Sequence, residues 1–253
     1  MASAPQNNPL PILYKELTPL STQEHGGWKA HQAPDWGIIK GHHAFPITVE
    51  EFIMASQRHP IVFTDDDVPL ALFGLNEGVN VFIDDANQMI NEPYLPAYVR
   101  RYPFMLVQVQ PNSEELTLCF DPQSNLIGDF EDGVPLIENG EATQPLKDTL
   151  AFCESFQNSV GQTGQFMGEL KELGLLMDGE IKIDQPGEPQ PFIYRGFKIV
   201  DEAKLKDLRG DQLRKMMQNG MLPLLHAHLF SLTHIPVLFN RQYTSGAMPK
   251  ADG

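Results

Sequence analysis

The apolar residues of this chain change their spacing half way along. In the first half they come in short runs, partly β-branched or aromatic, at Ile61–Thr64, Leu70–Gly74, Val79–Ile83, Phe104–Gln110 and Glu115–Phe120. That is the pattern of short strands. After Pro145, which suits the first turn of a helix, they recur every three to four residues, the pattern of helices. Leu146, Leu150, Cys153 and Val160 form one stripe. Phe166, Met167, Leu170 and Leu173 form a second, ended by Gly174. A third helix is predicted from an Asp211 cap to Asn219-Gly220, and a fourth from Leu222 to His234, ahead of Pro236. Between them Glu180–Asp184 and Phe192–Val200 alternate weakly and read as a strand pair. Strands and helices in runs, without βαβ alternation, predict an α+β fold: short mixed or antiparallel strands in the N-terminal half packed with a mainly helical C-terminal half.

One helix interrupts the strand-rich half. Thr48-Val49-Glu50-Glu51 has the form of a capping box, with the Thr48 hydroxyl accepting from the Glu51 amide and Glu51 reaching back. Val49, Phe52, Ile53 and Ser56 supply a buried face, and Pro60 stops the helix. Pro111-Asn112-Ser113 reads as a hairpin turn between the last two strands.

A chain of 253 residues can bury a substantial core as one domain, and no linker divides it. The sequence predicts tails over 1–11 and 244–253 and a single domain over 12–243. The formal charge is −15, from 33 acidic and 18 basic residues. A field of that sign repels nucleic-acid backbones and anionic lipid, so the expected partner is a protein or peptide. Nothing fixes the oligomeric state. The first ten residues have neither a basic nor an apolar stretch, so no secretory signal is expected. No run approaches the length of a spanning helix. A soluble, cytoplasmic protein without membrane insertion is the expectation. Cys119 and Cys153 lie in apolar surroundings outside any C-x-x-C arrangement, which predicts buried free thiols.

The stretch from residue 59 to 104 is the most distinctive. It contains His59-Pro60-Ile61-Val62-Phe63, then Phe73-Gly74-Leu75-Asn76-Glu77-Gly78-Val79-Asn80-Val81-Phe82, then Tyr94-Leu95-Pro96-Ala97-Tyr98-Val99-Arg100-Arg101-Tyr102-Pro103-Phe104. In order and spacing it resembles the SapC family. Gly133–Gly140, the run Gly196–Leu205 and Leu229-Phe230-Ser231-Leu232 resemble later elements of that family, so the likeness covers roughly Tyr14 to Arg241. Where relatives often carry a Trp, this chain has Gln88-Met89-Ile90. The resemblance implies a bacterial protein associated with surface-layer and secretion systems, or with neighbourhoods encoding halogenase-like flavoproteins and TonB-dependent receptors. It implies no particular reaction.

No P-loop, nucleophile-elbow, HExxH or dinucleotide-binding signature is present. His226, His228 and His234 could offer metal ligands. However, residues at i and i+2 of a helix point to different sides, so structural histidines and no metal or cofactor are expected. Of His42 and His43, alternation predicts that only one is buried. The candidate anion or ligand site is Asn80, Tyr98, Arg100 and Arg101. An extended segment there turns one arginine inward, to meet a carboxylate among Asp84, Asp85 and Glu92 or an anionic ligand. Two functions compete. One is a non-catalytic accessory or adaptor. The other is an enzyme acting on a peptide or amino acid around Asn80, Arg100 and Arg101.

Overall fold

The computed structural model describes residues 10–33, 35–109 and 115–247; the Pro111-Asn112-Ser113 turn lies outside them. The chain divides into two compact units, each assembled from two stretches. The first holds the stretch up to residue 35 together with 98–158, and the second holds 36–97 together with residues from 159 onward. The fold is α+β, as the sequence predicts.

In the first unit Thr18–Pro19, Thr117–Phe120 and Phe104–Val107 form an antiparallel sheet in which Phe104 faces Phe120. A second small sheet pairs Lys29–Ala30 with Ile127–Gly128 and Val134–Pro135. A hairpin joins Ile137–Glu138 to Glu141–Ala142. Phe104, Phe120, Leu136, Ile137, Leu146 and Cys153 are the buried cluster beneath them. The two-residue strands escape a period-2 reading because they are too short to show a period.

The second unit is organised by a five-stranded antiparallel sheet, in the order Leu176–Asp178, Lys198–Val200, Ile61–Phe63, Pro69–Leu72, Ala44–Pro46. Its centre, Ile61-Val62-Phe63, is buried along its whole length. A central strand has neighbours on both edges and apolar cover, so it reads as a continuous apolar run. The helix Met221–Ser231 packs on this sheet. The Ser231 hydroxyl accepts the Ile61 amide at 2.8 Å, and His228 Nε2 accepts the Val200 amide at 3.1 Å.

Several predicted elements differ. The two stripes after Pro145 belong to one helix, Gln144–Glu172. Gly161 and Gly164 lie within it and face open space, and isolated glycines weaken a helix without ending it. Gly174, with φ of +63°, closes the turn that follows. Val79–Ile83 is not a strand; the Val81 amide bonds to the Phe73 carbonyl in a turning segment. Lys198–Val200 leaves its predicted partner and joins the main sheet, while Ile181–Ile183 pairs with Phe192–Tyr194. The third helix starts at Gly210, with Asp211 inside its first turn. Pro236 stops nothing. It falls in the first turn of Ile235–Thr244, where a missing N–H costs nothing. The predicted C-terminal tail therefore begins inside a helix.

The capping segment is also modified. Val49–Glu51 is a 3₁₀ turn leading into Phe52–Ala55. Three residues per turn place Val49, Phe52 and Ala55 on the buried side and leave Ile53 exposed. By length and composition Met221–Thr244 is long and apolar enough to cross a membrane, against the expectation that no segment is. In the fold three of its polar side chains are turned to protein: Ser231, His228 and Gln242 are fully buried. Gln242 accepts the Leu75 amide at 2.9 Å and donates to Asn76.

Candidate functional site

The distinctive motifs resolve into structural positions one residue at a time. Gly74 lies so close to the following turn that a Cβ there would be 2.0 Å from the Val79 carbonyl oxygen; only glycine allows the approach. The Asn80 amide donates to the Ile39 carbonyl at 3.0 Å, and its oxygen accepts the Phe82 amide at 3.0 Å. Asn80 is buried in the second unit, and its side chain is committed to the backbone.

Glu51 is the hub of the same unit. One carboxylate oxygen accepts the Thr48 amide at 2.9 Å and the Thr48 hydroxyl at 3.1 Å; the other accepts the Ala97 amide at 2.6 Å and the Tyr94 hydroxyl at 3.1 Å. Half of the predicted capping box is therefore present. The Thr48 hydroxyl donates to the carboxylate, and the Glu51 amide bonds to the Thr48 carbonyl. A buried carboxylate is tolerated only with such a set of donors.

Two histidines, His59 and His228, are fully buried, and only the second is among the candidate residues of the sequence. His59 places Nδ1 and Nε2 each 3.0 Å from a carbonyl, of Leu72 and Tyr94, and stacks on Phe73. Burial pushes its pKa down to about 4, and burial does the same to His228. His226 is exposed, His228 is buried and His234 lies between, so these three histidines face different surroundings. No group of three His, Cys, Asp or Glu among the described residues is placed to hold a metal. His42 and His43 are both half-buried, against the prediction of one buried ring. Cys119 and Cys153 are buried free thiols, each pushed up to about 11 by burial.

The arginine pair is where the sequence reading was least accurate in conformation and closest in consequence. Ala97–Arg100 is a short helix and Arg101 follows in a turn; the segment is not extended. Arg100 is nevertheless exposed, with its guanidinium 5.2 Å from the Phe152 ring centre, and Arg101 is turned inward with 8% of its surface exposed. The partner expected among Asp84, Asp85 and Glu92 is not what meets it. In the second unit Asp85 pairs with Lys40 at 3.2 Å, and Asp84 accepts the Gln88 amide at 2.7 Å. The Arg101 guanidinium instead lies in a box of rings of its own unit. Its carbon is 4.3 Å from the ring centre of Phe156, 4.9 Å from Tyr98 and 5.8 Å from Tyr14.

Ring faces carry the negative end of a quadrupole and attract the cation, which takes the place of an ion pair. The box is itself anchored: Tyr98 donates to the Ile12 carbonyl at 2.6 Å and Tyr14 to the Phe104 carbonyl at 2.7 Å. Burial raises the pKa of both phenols, Tyr98 to about 12, so they remain neutral donors. Among the described residues, Nε of Arg101 is buried without a hydrogen-bond partner, and no carboxylate forms an ion pair with Arg101. Of the predicted residues, then, Tyr98 and Arg101 come together, Arg100 flanks the other side of the turn, and Asn80 is engaged elsewhere. Tyr14 and Phe156 were missed. Phe156 follows Cys153 by three residues on the same helical stripe, a signal that was available; Tyr14 has none.

These features define an α+β protein with a guanidinium held in an aromatic box. The SapC family model matches residues 20–238, and the chain belongs to the SapC family. No curated protein and no solved structure matches it.

Proposed function

We propose that this SapC-family chain is a non-catalytic accessory protein of the cytoplasm. It docks a partner protein or peptide through a carboxylate, in the surface-protein or receptor-linked bacterial systems that the family accompanies. The observation that carries this reading is Arg101. Glu51, Asn80 and Ser231, by contrast, have their side chains engaged in hydrogen bonds by the fold. Arg101 keeps a buried donor open, as do His228 and Tyr194 among the described residues, but of the three only Arg101 carries a permanent charge. A guanidinium is always charged, and burying it without a counter-charge costs several kcal/mol, only partly offset by the rings. A side chain held at such a cost, with a fork suited to bidentate carboxylate binding, fits recognition better than architecture. An enzyme built on Asn80, Arg100 and Arg101 is less well supported, because the Asn80 amide is taken up by Ile39 and Phe82.

The test is to follow the Arg101 Nε–H resonance by NMR while N-acetylated dipeptides with a free C-terminal carboxylate are added, with the C-terminal amides as controls. The carboxylates should shift that resonance and the amides should not. Equal response to both, or none to either, contradicts the reading.

A further inference from the structure

A second concentration of positive charge lies in the second unit, beside Phe82 of the distinctive motif and His234. A cleft of about 60 Å³ is lined by Gln57, Arg58, Phe82, Asn91, His234 and Arg241 among others. Three parts of the chain deliver these residues. Gln57 and Arg58 follow the helix Phe52–Ala55, whose last turn is continued by bonds from their amides to Met54 and Ala55. Asn91 sits in a turn with φ of +61°. His234 and Arg241 are seven residues apart on successive helical segments, hence on one face. The Arg241 guanidinium lies 5.1 Å from the centre of the Phe82 ring, which fixes its direction over the cleft.

No Asp or Glu lines this cleft. Among the described residues Arg58, His234 and Arg241 form no ion pair, although Lys40, Lys171, Arg195, Lys198 and Lys215 each have one. Here the donors converge alone. Their field is felt by the neighbouring His59, whose protonation is opposed chiefly by burial and further by His234 and Arg241. The size is as informative as the charge. Pockets for drug-sized or nucleotide-sized molecules measure roughly 300–1,000 Å³, so this cleft takes a group of a few heavy atoms. Two guanidinium forks, two amides and an imidazole match the several acceptor oxygens of a tetrahedral anion better than the two of a carboxylate.

We propose that the Arg58–His234–Arg241 cleft binds a phosphate-type oxyanion, either free or as the terminal phosphoryl group of a small phosphomonoester. Phe82 and the Arg241 guanidinium form one wall, and Arg58 lines the cleft from the turn after Phe52–Ala55. This site is independent of the Arg101 box.

The experiment is a titration of inorganic phosphate, and in parallel glycerol 3-phosphate, at low ionic strength, followed by ³¹P NMR and calorimetry, with acetate as control. Binding with a dissociation constant of about 10⁻⁴–10⁻³ M is expected for at least one phosphate probe and not for acetate. Tighter binding of the ester would identify an esterified phosphoryl group as the ligand; tighter binding of phosphate would identify the free ion. Arg58→Gln alters an exposed turn residue and should weaken binding about tenfold, equivalent to about 1.4 kcal/mol, with an unchanged melting temperature. Arg241→Met should abolish binding, and Arg101→Met should leave it intact. Absence of phosphate binding by the unmodified protein overturns the proposal. So does binding that Arg58→Gln leaves unchanged.

Discussion

At the scale of single residues, the fold depends on a few buried polar groups with many partners. Glu51 joins the start of a helix to Tyr94 and Ala97 through four accepted hydrogen bonds. Glu51→Ala removes the acceptor of two buried or partly buried amides and two hydroxyls, each worth about 1–3 kcal/mol where it is left unpaired. The expected loss is therefore about 3–5 kcal/mol in chemical denaturation; a loss below about 1 kcal/mol would show that water takes over these donors. Glu51 was legible in the sequence because a capping box has a fixed spacing. Its bonds to Tyr94 and Ala97 were not, since nothing in a sequence pairs residues more than forty positions apart. That one arginine of the pair turns inward was legible for a similar local reason, since the apolar Tyr102-Pro103-Phe104 leads into the core; that it is Arg101 was not. Its partners were not legible either. Charge does not meet charge there: three ring faces stand where a carboxylate is expected and offset the cost of burial only in part.

At the scale of elements, long and periodic features were read well and short ones poorly. The central strand Ile61–Phe63 and the Phe104/Phe120 pairing are rich in apolar residues and were found. The two-residue strands were not, and the helix Gln144–Glu172 was split in two because its stripe is interrupted around Gly161 and Gly164. What holds elements together here includes neutral imidazole. His228 secures the helix Met221–Ser231 to the sheet through the Val200 amide, and neutral His59 donates its single N–H to one of the two carbonyls its ring faces, those of Leu72 and Tyr94. Both have pKa values lowered to about 4 from an ordinary 6.5. The unfolded chain therefore takes up protons more readily than the folded one between those values. Stability is fully present above pH 6.5 and falls as the pH drops toward 4. Each histidine accounts for on the order of 3 kcal/mol across that window. Urea denaturation at pH 7.5, 6, 5 and 4 should show this decline, and His228→Gln should flatten it; a level profile in the unmodified protein would contradict the assignment of neutral rings.

At the scale of the whole molecule, the order of strands and helices was enough to predict an α+β class, because that class follows from how hydrophobic periods are distributed. The division into two units was not legible, since each is assembled from stretches distant in sequence. For that reason no single cut can release either unit as one continuous segment. We expect residues 12–243 to behave as a single cooperative domain. Limited proteolysis should trim the ends and leave the rest resistant; a stable cut near residues 140–145 giving two separately folded fragments would refute this. The Arg101 box bears most directly on function, and its thermal stability tests the central claim. Arg101→Met removes a buried charge and keeps an apolar side chain against Phe156, Tyr98 and Tyr14. If Arg101 is held for binding, the melting temperature of this variant stays the same or rises. If it falls by more than about 4 °C, equivalent to roughly 1 kcal/mol or more, then the arginine is a structural element and the proposed role in recognition is wrong.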